Sequence, residues 1–240
     1  MKSINLPEDM FSLEDFEKGL MLAGLLPPHT VSEVEERECL EQYDIKVREE
    51  NRLIYFKRAV LAAAIASELS EEPTFGRVKF QKLVYLCEHA AKMNLQGRYV
   101  KEAAGPFDKK FMHGIEREFK KQKWFSIVKE PAGNYQRTKY VSLTGCEHHK
   151  KYYESYFSDT DSSIRYIINL FRKSRTDIAE IAATLYACAL ELNEKNEPVG
   201  EENLLRLFYD WSPEKEKYSK EQVTGVWRWM IQKGLCDESK

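Results

Sequence analysis

The sequence predicts a mainly α protein: a helical domain with a small β-hairpin in winged-helix-like order, followed by a C-terminal helical subdomain. Three observations predict it. Apolar residues recur at spacings of three and four over most of the chain. A single pair of strand-like runs, Trp124 to Val128 and Tyr135 to Leu143, flanks Pro131-Ala132-Gly133-Asn134. Of the 240 residues, 42% are hydrophobic and 12% aromatic, enough to build a core, and the 32% that are charged suit a helix-rich, solvated surface.

The elements follow in order. Ser12-Leu13-Glu14-Asp15 caps a short helix with Phe16, Leu20 and Ala23 on one face, which Gly24 and Pro27-Pro28 end. Ser32-Glu33-Val34-Glu35 is a capping box. It opens a long helix to about Leu69, with Asn51 as the place where it would bend or split. Pro73-Thr74-Phe75-Gly76 is a turn. A helix from Arg77 to about Met93 points Phe80, Leu83, Val84, Cys87 and Ala91 inward, and Asn94 and Gly97 close it. Pro106 suits the first position of the next helix, because its missing N–H costs nothing there. Phe107, Phe111, Ile115 and Phe119 then recur every four residues as a core stripe.

The hairpin comes next, with a loop longer than the tight two-residue type. A helix ending near Tyr152, Tyr153, Tyr156 and Phe157 follows. Asp159 to Ser163 turns small and polar, the best boundary. Beyond it come a helix on Ile164, Ile167, Ile168 and Phe171, one over Asp177 to Glu194, and a shorter one over Glu201 to Tyr209. Ser219 with Gln222 caps the last helix, which buries Val223, Val226, Trp227, Met230 and Ile231 and stops at Gly234. The organisation expected is an acidic helical arm over 1–52, a helical core with hairpin over 53–157, and a helical subdomain over 158–240.

Charge is unevenly placed around a net of −2. Residues 1–51 hold five Lys/Arg against thirteen Asp/Glu, a balance of −8, and residues 77–151 hold seventeen against seven, a balance of +10. Such a split suits either intramolecular docking or a basic face kept for an acidic partner. No run approaches the roughly 18 apolar residues of a membrane span, and MKSINLPEDMF lacks the features of a signal peptide. A cytoplasmic protein is expected. Cys39, Cys87, Cys146, Cys188 and Cys236 are odd in number, scattered and without a C-x-x-C pair, which suits buried thiols rather than disulfides or zinc.

Catalytic motifs are missing: the sequence has no phosphate loop, dinucleotide fingerprint, H-E-x-x-H or G-x-S-x-G. Cys146-Glu147-His148-His149 is the one local group of metal-capable residues, but adjacent histidines on a helix diverge, and it reads as an exposed helix start. Cys87 and His89, two apart on a helix, face different ways and form no local dyad; His113 would be the tertiary alternative. Glu116 and Glu118 sit among Arg117, Lys120, Lys121 and Lys123 and read as salt-bridged surface charge. No cofactor and no metal are expected. Lys109, Lys110, Arg117, Lys120, Lys121 and Lys123, with Lys129, Arg137 and Lys139 on the hairpin, form the candidate nucleic-acid face, since a basic helix and wing can meet phosphates.

One stretch resembles a known family. Arg77-Val78-Lys79-Phe80-Gln81-Lys82-Leu83-Val84-Tyr85-Leu86 is similar to the K-L-Q-K-L-L-Y helix of the Panacea-type (SocA-like) antitoxin domain, and Ala104-Gly105-Pro106 falls where that family has its small-residue Gly-Pro break. The resemblance covers roughly Leu53 to Phe157. Phe80 replaces the usual leucine, and Phe107-Asp108 follows Gly-Pro where many members have Val-Val. The resemblance implies a non-catalytic protein-binding module that neutralises a toxin, delivers a partner to a protease, or accompanies bacterial restriction–modification and phage-defence components. Its motif positions are Lys79, Gln81, Lys82, Tyr85, Gly105 and Pro106. Gln81 is placed to reach a backbone group at the Gly105-Pro106 break, so the motif either holds the fold or holds a partner. The expected partner is a protein, with a DNA-binding regulator or restriction–modification accessory as the alternative; a homo-oligomer stays open and a membrane does not.

Overall fold

The structure, a computed structural model, describes residues 23, 33–95, 97–132 and 135–237. The helix expected from Ser12, the Ser32 cap and Gly133-Asn134 lie outside the described residues. The chain divides into two compact units, residues 1–50 and 51–240. It is mainly helical, with two small antiparallel hairpins.

Helix α1 covers Glu33–Leu69 as one element, through Asn51. In the first unit its Tyr43 and Ile45 side chains are exposed. In the second unit Ala59 to Ala63, Ile65, Ala66 and Leu69 are all fully buried. An apolar run buried all round needs neighbours on every side, and small alanines let them come close. Phe56 packs edge-on to Tyr152, with centroids 5.0 Å apart.

Helix α2, Arg77–Ala90, buries Phe80, Leu83, Val84 and Cys87 as the spacing predicts, whereas Ala91 is only half-buried. The next stretch differs from expectation. Val100–Glu102 (β1) and Gly105–Phe107 (β2) form a first hairpin, with Lys101 opposite Pro106. Pro106 therefore does not open a helix, and Phe107 belongs to β2 rather than to the helical stripe. Helix α3, Lys109–Lys121, begins after Asp108, whose carboxylate accepts the Phe111 N–H at 2.9 Å. A carboxylate that can accept an orphan N–H makes a stronger helix start than Gly-Pro.

Strands β3 (Phe125–Ala132) and β4 (Tyr135–Ser142) pair along their whole length, from Phe125 opposite Ser142 to Ala132 opposite Tyr135. The strands run on to Ala132 and from Tyr135, so Pro131 and Ala132, expected in the loop, belong to β3. Pro131 stands within β3, where a two-stranded ribbon leaves an open edge that tolerates a missing donor. Phe125 and Tyr140 are buried, whereas Val128 and Val141 are exposed, the alternation of a one-sided sheet.

A 3-10 turn, Cys146–His148, leads into α4, His149–Phe157, and a second, Ser158–Thr160, into α5, Asp161–Phe171. Then come α6 (Thr176–Glu194), α7 (Glu201–Tyr209) and α8 (Lys220–Gln232). Helix α6 is central and packs on α2, α7, α8 and β2. Helix α2 also packs on α5, so the elements before and after residue 158 share one core. Ser219 caps α8 by accepting the Gln222 N–H, and Gly234 follows it at φ +65°. Val223, Val226, Trp227 and Met230 are buried, and Ile231 is half-buried.

Candidate functional site

The motif residues of α2 point into the protein. Lys79 is fully buried, and its Nζ donates to Thr74 Oγ1 (2.8 Å), Arg172 O (3.0 Å) and Ser174 O (2.7 Å). It thereby satisfies carbonyls at and just after the end of α5, groups a helix leaves without intrahelical donors. Burial lowers its pKa to about 8, against the pull of Glu72.

Lys82, also fully buried, donates to the Pro106 carbonyl at 2.8 Å. The residue that reaches the Gly105-Pro106 break is thus Lys82, not Gln81, whose side chain is half-buried. Gly105 adopts φ +96°, and a Cβ there would lie 2.5 Å from Thr184 Oγ1 and 3.6 Å from Lys82 Nζ. Only glycine accepts both the left-handed backbone and the close approach of α6. Burial, then the nearby ammonium of Lys215, brings the Lys82 pKa down to about 7. Tyr85 is buried and packs tilted against His89, centroids 4.1 Å apart, with Tyr99 edge-on at 4.8 Å. Lys79, Lys82, Tyr85, Gly105 and Pro106 come together at the packing of α2 on β2, α5 and α6.

Two buried ion networks flank this arrangement. Arg58 on α1 pairs with Glu88 (2.6 Å) and Asp108 (2.7 Å), donates to the Tyr99 hydroxyl (3.1 Å), and lies over the Phe111 ring at 4.0 Å. Burial raises the Glu88 pKa, with Arg58 acting against it. Asp108 is held below the ordinary range: burial opposes its charge, but the N–H groups of Phe111 and Arg98 and the Arg58 guanidinium outweigh it. Lys215 pairs with Glu180 at 2.9 Å and donates to Thr184 Oγ1 at 3.1 Å. Neither network was legible beforehand. Arg58 adjoins Lys57, and Lys215 sits among the charges of Pro-Glu-Lys-Glu-Lys, so nothing local marks either as buried.

The basic face is divided. Lys109, Lys110, Arg117, Lys120, Lys121 and Lys123 are exposed on and just after α3. On the hairpin, Lys129 is exposed, Arg137 donates to Pro73 O at 2.8 Å and Lys139 lies 3.8 Å from Glu130. Glu116 pairs with Arg77 (2.8 Å), and Glu118 accepts from Gln122 (2.7 Å).

Cys87 is fully buried and burial pushes its thiol up; His113 is exposed on α3. Burial pushes Cys188 and Cys236 up to about 12, so these thiols stay protonated. The start of α4 is not wholly exposed as the sequence suggests. His148 is exposed, but His149 is buried edge-on to Trp124, its Nδ1–H donating to Cys146 O. Among the described residues no group of three His, Cys, Asp or Glu side chains is placed to hold a metal. No described helix is long and apolar enough to cross a membrane. No protein-family model matches the chain, and neither does any curated protein.

Proposed function

We propose that the protein is a non-catalytic binding module that neutralises or adapts a partner protein in a bacterial toxin–antitoxin or phage-defence system. The observation that carries this reading is the exposure of Tyr43 (65%) and Ile45 (56%) on an acidic helix segment. Large apolar side chains set among charges suit a protein contact. Lys79, Lys82 and Tyr85 are buried, so in this reading the resembling motif builds the module and partner contacts fall to other residues. Co-purification of the full chain with the product of its neighbouring gene tests the reading, with Tyr43→Arg and Ile45→Arg expected to abolish the complex. A neighbour that neither co-elutes nor is restrained in growth assays would sink it.

The alternative, a DNA-binding regulator or restriction–modification accessory, is favoured by Lys109, Lys110, Arg117 and Lys120 on α3, which are exposed and, among the described residues, unpaired. Gel shifts at two salt concentrations discriminate, since phosphate contacts weaken steeply with salt. Lys120→Glu, Lys121→Glu and Lys123→Glu together should abolish binding; an unchanged shift would exclude this face.

A further inference from the structure

A cavity of about 370 Å³ opens between the second half of α1, the Arg98 segment and α3. Its floor is fixed. Arg58 is locked by Glu88 and Asp108 over the Phe111 ring. Tyr55 meets Phe111 edge-on, centroids 6.1 Å apart, and its hydroxyl occupies a notch at Gly114, where a Cβ would lie 2.6 Å away. Among the described residues Asp108 is the sole carboxylate on the wall, and both of its oxygens are engaged by Arg58, the Phe111 N–H and the Arg98 N–H.

The rim is different. Arg98, Lys110 and Arg117 line the cavity, and among the described residues none has a carboxylate partner. Elsewhere in the same unit Arg77, Arg165, Arg172, Arg175, Arg206 and Arg228 are each committed to one. Three unspent cations above a neutralised floor match an anion of more than one charge. Two guanidinium forks favour phosphate oxygens, which they can grip in pairs. The volume is that of a small-ligand site, and the Tyr55 ring offers an apolar wall.

We propose that this cavity binds a phosphate-bearing ligand of nucleotide size, with Arg98, Lys110 and Arg117 on its phosphates and Tyr55 beside its base. The site is independent of the partner-binding reading. Its ligand is either a free nucleotide or the phosphorylated end of a nucleic-acid strand.

Isothermal titration of the full chain with ATP, with pyrophosphate as competitor, tests the proposal. Saturable ATP binding that pyrophosphate displaces is expected. Arg98→Ala and Arg117→Ala should each weaken it about tenfold, the effect of losing one charged hydrogen bond. Lys110→Ala should weaken it too, and Arg206→Ala, on a distant surface, should not. All four side chains are exposed, and circular dichroism checks that the variants fold. Competition by a short 5′-phosphorylated oligonucleotide, but not by its 5′-hydroxyl twin, would assign a strand end; no competition by either would assign the free nucleotide. The proposal is overturned if millimolar ATP and the phosphorylated oligonucleotide both give no saturable signal. It is equally overturned if the Arg98→Ala, Arg117→Ala double variant binds as well as the parent, or if Arg206→Ala loses as much.

Discussion

The Nζ of Lys82 lies 2.8 Å from the carbonyl oxygen of Pro106, so a buried amine on α2 fastens the first hairpin. That bond has a pH signature. The folded pKa falls from 10.5 to about 7 because of burial and then Lys215. Between those values the unfolded chain binds a proton that the folded protein does not, so stability rises with pH across this window and is lost again as pH falls through about 7. The slope is at most about 1.4 kcal/mol per pH unit. Thermal melts should show the rise in the parent and a flatter profile in Lys82→Met. Equal slopes in the two proteins would mean that Lys82 keeps its ordinary basicity.

Gly105 is the second half of that fastening. Gly105→Ala places a side chain at φ +96° and drives a Cβ to 2.5 Å from Thr184 Oγ1. The backbone alone costs about 1–2 kcal/mol, and the clash adds to it. Urea unfolding should show a loss of about 2–4 kcal/mol. Adding Thr184→Ala should relieve the steric share only, because the backbone strain persists. A loss under about 0.5 kcal/mol, the size of a neutral surface change, would contradict the geometry.

Lys79 and Gln81, two polar motif positions on one helix, should behave differently. Lys79 donates to Thr74, Arg172 and Ser174 in the interior, whereas Gln81 is half-buried on the same helix. Lys79→Met strands two backbone carbonyls and should cost about 2–3 kcal/mol in chemical denaturation. Gln81→Ala should stay within about 0.5 kcal/mol. A reversed order would return Gln81 to the structural role that its sequence position suggests.

These positions also mark how far the sequence could be read. Helical periodicity located the core faces of α2, α5 and α8, because an apolar stripe must be buried whatever lies opposite. Ser219 was legible as a cap because capping is local. The first hairpin was not legible. Its strands are three residues long, and its geometry depends on Lys82 and Thr184, distant in sequence. Pro106 matched a helix start by local rules, and a tertiary contact at its carbonyl decided otherwise. The cavity beside Tyr55 had a partial trace: Lys110 and Arg117 stood out as basic, but nothing local joined them to Arg98 or showed that Arg58 is locked inside.

Arg58 gives the severest test of the buried charges. Its guanidinium answers two carboxylates at once, and Arg58→Met leaves Glu88 and Asp108 facing each other without it. Breaking a buried pair by removing one partner costs about 3–5 kcal/mol. A lysine cannot restore the fork, so Arg58→Lys should recover little. Glu88→Gln added to Arg58→Met removes one uncompensated charge and should return part of the loss, whereas Asp108 keeps the Phe111 and Arg98 N–H groups and suffers less. The double-mutant cycle, read from urea midpoints, should therefore give a coupling of more than about 1 kcal/mol between Arg58 and Glu88. Additive losses would show that the pair does not act as a unit.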